Sequence, residues 1–230
     1  MEEREVQGKE RYEEIIKKYK IDIDKLKKEQ EKLSKNLEIK DSIDFSLADR
    51  IAGIDNIFFK NKIISAIVVI SVPDGEVIEQ EYFSDNIKFP YLSEFRAYRE
   101  LPAMIQAFNK LDEKPDVVFI RGHGILHPRG LGLASHFSLS AGVPTVGVTD
   151  SLLIGEIKED SIFLDVNLAG KILKTKIGAK PLYISPGNKI SLSTSVELVK
   201  RFTLEPHKFP EPLRLVKRYV KQVMKELFKK

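Results

Sequence analysis

Residues 116–136 read DVVFIRGHGILHPRGLGLASH. Val117–Ile120 is a continuous apolar run, the pattern of a strand covered on both faces. Arg121-Gly122-His123-Gly124 follows directly, and its two glycines free the backbone for a tight turn and for close approach of a ligand. His127, Pro128 and Arg129 continue the loop, and residues 130–141 read as a small-residue helix. Strand, glycine turn, polar loop and helix is the order in which open α/β sheets place their chemistry. An αβ connection with a basic loop is the simpler reading. Three histidines and two arginines within the stretch favour function.

Working outward, the 230 residues are 42% hydrophobic, enough for one sizeable core and a single domain over 1–230. The absence of cysteine excludes disulfides and thiolate metal sites. No apolar run approaches the roughly 20 residues that span a bilayer, and the first residues lack the apolar segment of a signal peptide. A cytoplasmic protein without a membrane partner is expected. A net charge of +4 permits a polyanionic partner without demanding one.

Residues 9–38 form an arm rich in Glu and Lys, read as two helices with the second starting near Asp24. It is either a surface element with a solvated charged face or a packing arm between subunits of a homo-oligomer. Residues 50–59, 63–72 and 76–84 read as three strands of an antiparallel meander, with Pro73-Asp74-Gly75 a turn. Asp55 lies inside the first strand, where a carboxylate is costly unless paired or metal-bound; a salt bridge and a metal remain equally open. A helix spans about 94–111, its start delayed to accommodate Pro102. Residues 144–148 are another buried strand, ending at Asp150. Residues 161–177 read as a hairpin turning near Leu168-Ala169-Gly170, residues 181–185 as a last strand, and Pro186-Gly187-Asn188 as a turn. Helices over 193–202 and from 209 to the C-terminus complete the chain. The order implies an α/β protein with a mixed sheet, an antiparallel meander followed by parallel strands, with helices packed on it. That order suits a ribonuclease-H-like fold.

AGIDNIFF (52–59), FPYLSEFRAYRE (89–100), PDVVFIRGHGILHPRGLGLASH (115–136), VPTVGVTDSLLIG (143–155), PLYISPGN (181–188) and FPEPLRLVKRY (209–219) resemble, in order and spacing, the blocks of the endonuclease V family. The resemblance implies a ribonuclease-H-like fold and Mg²⁺- or Mn²⁺-dependent cleavage of a phosphodiester bond next to deoxyinosine or inosine. It makes Asp55 and Glu100 two metal-binding carboxylates and Tyr91 the aromatic wedge that props strands apart. His127 falls in the matching HPR segment.

The departures from that pattern are specific. Arg121 stands where the family has the Asp of its third metal carboxylate, Asp150 where it has a Lys, and Lys217 where it has a His. The PYIP wedge segment is PYLS here, and Glu94 and Arg96 hold positions that are normally small or apolar. In one reading the metals are lost and the chain is a non-catalytic nucleic-acid binder. In the other, positions 121 and 150 have exchanged charges, so that Asp55, Glu100 and Asp150 hold metal and Arg121 contacts phosphate. Random decay would more readily leave neutral residues than a compensating swap, which favours the second. Asp150 could equally cap a helix starting at Ser151. Tyr91 can stack a base while Arg96, Arg99, Arg129 and Lys217 follow a backbone, a single-strand design, with Gly122, His123, Gly124 and His127 lining the approach. The expectation is therefore a metal-dependent deoxyribonuclease acting on single-stranded DNA, as an exonuclease from an end. A deoxyinosine-directed repair endonuclease and the non-catalytic binder are the alternatives.

Overall fold

Eight successive buried residues, Ile63–Ile70, form the interior of β2 (Lys62–Ser71). In the computed structural model, which describes residues 12–229, β2 pairs antiparallel with β1 (Arg50–Phe59) and β3 (Val77–Asn86). The predicted meander is present. β4 (Val117–Ile120) and β5 (Thr145–Thr149) then run parallel to β1, and β9 (Leu182–Asn188) returns antiparallel to β5. With β6 (Glu156–Lys158), β7 (Ser161–Leu164) and β8 (Asn167–Leu173), the sheet has nine strands in the order β3-β2-β1-β4-β5-β9-β8-β7-β6.

The alternation of side chains along each strand divides the interior into two cores, one per face. Ile51, Val117 and Phe119 face the first; Ala52, Ile54, Val118 and Ile120 face the second. Helices α4 (Leu192–Phe202) and α5 (Glu211–Leu227) cover the first core with Leu198, Val199, Leu213, Val216 and Val220. Helices α2 (Arg96–Phe108) and α3 (Leu133–Ala141) cover the second with Met104, Ala107, Phe108, Ala134 and Phe137. Each of these aliphatic and aromatic side chains contributes at most about 1.5–3 kcal/mol by leaving water. On the second face, residues 12–19 are helical and α1 (Ile23–Ser34) follows, capped by Asp22, whose carboxylate accepts from Lys25 N at 2.9 Å. Residues 9–11 of the predicted arm, and the final Lys230, lie outside the described residues.

Four local expectations are corrected. Pro186-Gly187-Asn188 is the end of β9, not a turn; a bulge in β9, with Gly187 the extra residue opposite the Thr145–Val146 step of β5, accommodates the proline, which has no N–H for the ladder. The 161–177 hairpin turns at Asp165-Val166, with Asp165 at φ 53°, and β6 precedes it. α2 is not delayed: a 3₁₀ turn at Ser93–Phe95 leads into Arg96 and Pro102 sits inside the helix. The buried face of Ala97, Ala103, Met104 and Ala107 outweighs the one helical bond to the Tyr98 carbonyl that Pro102 cannot make. α3 starts at Leu133 because Gly130, at φ +64°, turns the chain before it.

Gly124 shows how tightly the 121–124 turn is held. Its N–H donates to Ser185 Oγ at 2.9 Å and the next N–H, of Ile125, donates to the Pro186 carbonyl at 2.9 Å. A Cβ at 124 would overlap that carbonyl oxygen. The room expected there for a ligand is therefore filled by β9. Gly124→Ala should destabilise the protein by about 1–3 kcal/mol or more, since backbone rather than a flexible side chain must give way; chemical denaturation would measure it.

Candidate functional site

The parallel register puts three chemistry-bearing positions side by side. Ile54 of β1 pairs with Ile120, the last residue of β4, so Asp55, midway along β1, and Arg121, just past the end of β4, are neighbours. Asp150 follows the last residue of the adjacent strand β5. Arg121 Nη2 lies 3.6 Å from Asp150 Oδ2. Glu100 enters from α2 and is 1% exposed.

Each carboxylate already has partners within the protein. Glu100 accepts a two-pronged contact from Arg96, one turn earlier on α2, Nε at 2.8 Å and Nη2 at 3.0 Å. It also accepts from Asn56 Nδ2 at 2.8 Å. Asp55 is pushed up in pKa by burial, against the pull of Arg121, the Asn56 N–H and Lys217. Burial also acts to raise Asp150, but Lys208 at 3.2 Å and Arg121 outweigh it and hold it low. Arg121 stacks on Phe209, its guanidinium carbon 4.2 Å from the ring centroid. Lys217 is lowered by burial and by Arg121. Arg96, Arg121, Lys208 and Lys217 thus surround Asp55, Glu100 and Asp150, and cations outnumber carboxylates.

These residues do not fit a pair of divalent metals. Arg96 fills the lone-pair directions of Glu100 that a cation would need. Among the described residues, no group of three His, Asp and Glu side chains is gathered for a metal. Within the expected ligand set, Arg121 stands beside Asp55 and Asp150, and Arg96 holds Glu100. Asp150 is no helix cap either, because residues 151–155 are not helical.

Other predicted contact residues divide into two groups. Tyr91 is 60% exposed and free to meet a base. Arg99 instead turns inward, donating to the Phe89 carbonyl at 2.8 Å and lying over Phe58 at 4.5 Å. Arg129 bonds Gln30 Oε1 through Nε at 2.6 Å and Glu94 Oε2 through Nη2 at 2.7 Å. Gln30 donates in turn to the Glu94 carbonyl at 3.0 Å. His127 is buried, with its pKa lowered by burial to about 4. As neutral imidazole it can donate from Nε2 to the Glu94 carbonyl at 2.9 Å and accept the Arg129 N–H at Nδ1, at 3.3 Å. His123 contacts the Ser151 carbonyl at 2.9 Å, and Gly122 packs on Leu133. Arg96, Arg129 and His127 are thus engaged inside the protein rather than along a strand. The cavity that Arg96 and His127 border, behind Ser93–Ala97, measures about 10 Å³, room for one water rather than a base.

Sequence reasoning missed Asn56, Lys208 and Phe209. Asn56 carried a signal, a polar neighbour of Asp55 inside an apolar strand. Lys208 and Phe209 come from the segment before α5 and carried none.

The endonuclease V family model matches residues 31–218, most of the chain. The chain belongs to the endonuclease V family. This is a family of nucleases, as its name states. The endonuclease V of Trichormus variabilis is 38% identical over 175 residues, 72% of this chain and 79% of that protein. The catalytic domain of human endonuclease V superposes with a TM-score of 0.80 at 26% identity, covering 89% of this chain and 96% of that one. Ciona intestinalis endonuclease V, in complex with a 24mer DNA containing an inosine followed by a ribo-adenosine, gives 0.79 at 25% identity, covering 89% and 98%. The ribonuclease-H-like fold expected from the strand order is that of these family structures. No helix among the described residues is long and apolar enough to cross a membrane.

Two measurements check the site. Because burial raises Asp55, the folded state prefers its protonated form. The stability it contributes is complete below its unfolded pKa, near 4, and is lost as pH rises through the folded value. Asp55→Asn should therefore melt higher than the parent near neutral pH and alike in acid; a lower melting temperature at neutral pH would mean the surrounding cations outweigh burial. Second, Arg96→Leu with Arg121→Asp restores the family's residue types at both positions and releases Glu100. Without metal the pair should cost about 3–5 kcal/mol, the penalty of a buried charge stripped of its partner. Mn²⁺ should then raise the variant's melting temperature with concentration and leave the parent's unchanged.

Proposed function

We propose that the chain binds nucleic acid beside Asp55 of β1 and the carboxyl ends of β4 and β5, holding phosphates with guanidinium and ammonium groups where the family's pattern provides carboxylates for metal. The observation that carries this reading is the two-pronged Arg96–Glu100 contact beside Arg121. A glutamate saturated by an internal arginine is not a free metal ligand, and the surplus positive charge around it suits a phosphate oxygen. Tyr91 supplies an exposed ring on which a base can stack, so single-stranded DNA is the expected partner. Family membership and the DNA bound to the Ciona relative support a nucleic-acid ligand. The filled space behind Ser93–Ala97 weighs against a flipped hypoxanthine, since Glu94 and Arg96 would have to leave their partners to admit it.

Metal-dependent cleavage, including exonucleolytic action with Mg²⁺ or Mn²⁺, is the second reading. It is favoured by family membership and by the Arg121–Asp150 contact, the proximity that an exchange of charges between these positions requires.

End-labelled single strands, plain duplex and deoxyinosine-containing duplex, each incubated with EDTA, Mg²⁺ or Mn²⁺, separate the readings. Binding in EDTA without cleavage in any metal is the expected result. Metal-dependent cleavage would establish the second reading, and cleavage confined to the inosine strand would make the chain inosine-directed. Tyr91→Ala should weaken single-strand binding by about 1–3 kcal/mol, the usual loss for one stacked base, measured by anisotropy at fixed salt.

A further inference from the structure

The segment between β8 and β9, KTKIGAK (174–180), has an exposure that packing does not explain. Lys174, Lys176 and Lys180 are exposed, and Ile177 at the tip is wholly so, at 102%. Gly178, at φ +74°, turns the tip, and Ala179 N donates to the Lys176 carbonyl at 3.3 Å. The loop is moored: Thr175 Oγ1 donates to the Lys208 carbonyl at 2.6 Å. Lys208 in turn reaches Asp150 with its side chain at 3.2 Å. One short piece of backbone therefore forms both an edge of the site and the anchor of the loop. An open cavity of about 730 Å³ separates the loop from Glu205 and Pro206.

We propose that residues 174–180 are a second nucleic-acid contact, with the three lysines on phosphates and Ile177 against the bases of the strand that continues from the site. This rests on the nucleic-acid reading above. The segment carries three cations and no acid, and Glu205 is the one carboxylate lining the adjoining cavity. An apolar side chain between basic residues is the form in which proteins press on or part stacked bases. The same chemistry could meet an anionic lipid surface, but one isoleucine is a small anchor for a bilayer, and the tether through Lys208 places the loop beside the phosphate-binding residues.

The test is anisotropy of a labelled single-stranded 20mer at several salt concentrations, with the parent, the triple variant Lys174→Ala/Lys176→Ala/Lys180→Ala, and Ile177→Ser. All three should melt alike, because the side chains changed are exposed. The triple variant should lose about 2 from the slope of log affinity against log salt, three phosphate contacts at roughly 0.7 each. Ile177→Ser should bind about 5- to 10-fold more weakly with the slope kept, the lower end of the loss for one stacked base. A triple variant with the parent's affinity and slope overturns the proposal while leaving the nucleic-acid reading intact. A parent that binds no DNA overturns both. Loop-dependent binding to phosphatidylglycerol vesicles, with DNA binding unchanged in the variants, would reassign the loop to a membrane surface.

Discussion

Glu100 is nearly sealed from water, and a carboxylate so placed keeps its charge only beside a cation held in fixed geometry. Arg96 is that cation, one helical turn away on the same helix. Much of the site follows from this pairing. Arg96 is turned onto Glu100, the Glu100 oxygens are taken up by Arg96 and Asn56, and the 3₁₀ turn at Ser93–Phe95 that enters α2 ends where Arg96 begins. Such pairs add little net stability compared with apolar packing. Their effect here is to choose one arrangement of the helix start and to set the sign of the charge that the site offers.

The same constraint explains how the departures from the family's pattern fit together. Arg121 in place of an aspartate is matched by the Asp150 carboxylate and lies over the ring of Phe209. The carboxylate of Glu94, in place of a small residue, is matched by Arg129. Arg121 and Glu94 are paired with residues from other parts of the chain, and Arg96 with Glu100 on its own helix.

Much of the fold was legible because apolar runs declare themselves. Ile63–Ile70 and Val117–Ile120 could only be interior strands, and once β4 and β5 were parallel, Arg121 and Asp150 had to meet. Arg96 and Glu100 were legible in principle, four apart on a helix, but the resemblance to a metal-binding pattern pointed to a different partner for Glu100. Lys208 and Phe209 were not legible, since nothing local in Lys208-Phe209-Pro210 says which strand end it will cross. Pro186 misled for a different reason: proline and glycine mark turns in isolation, and only the bulge at Gly187 keeps them in strand β9. Arg99 misled because an arginine on a helix start gives no sign of whether it faces solvent or a neighbouring carbonyl.

Helix α1 contributes a single fully buried side chain, Gln30, and none of its residues belongs to the hydrophobic cores. Its attachment to the rest of the fold is therefore chiefly by hydrogen bonds, to Arg129, to the Glu94 backbone and, through the Leu26 carbonyl, to Tyr98. Water can replace each of these at small net cost. The sheet is thus held by apolar burial and α1 by a few polar contacts. One of them, Gln30, also lines the small space behind Ser93–Ala97. That space is therefore closed by a side chain from outside the two cores, and not by the sheet and its covering helices alone.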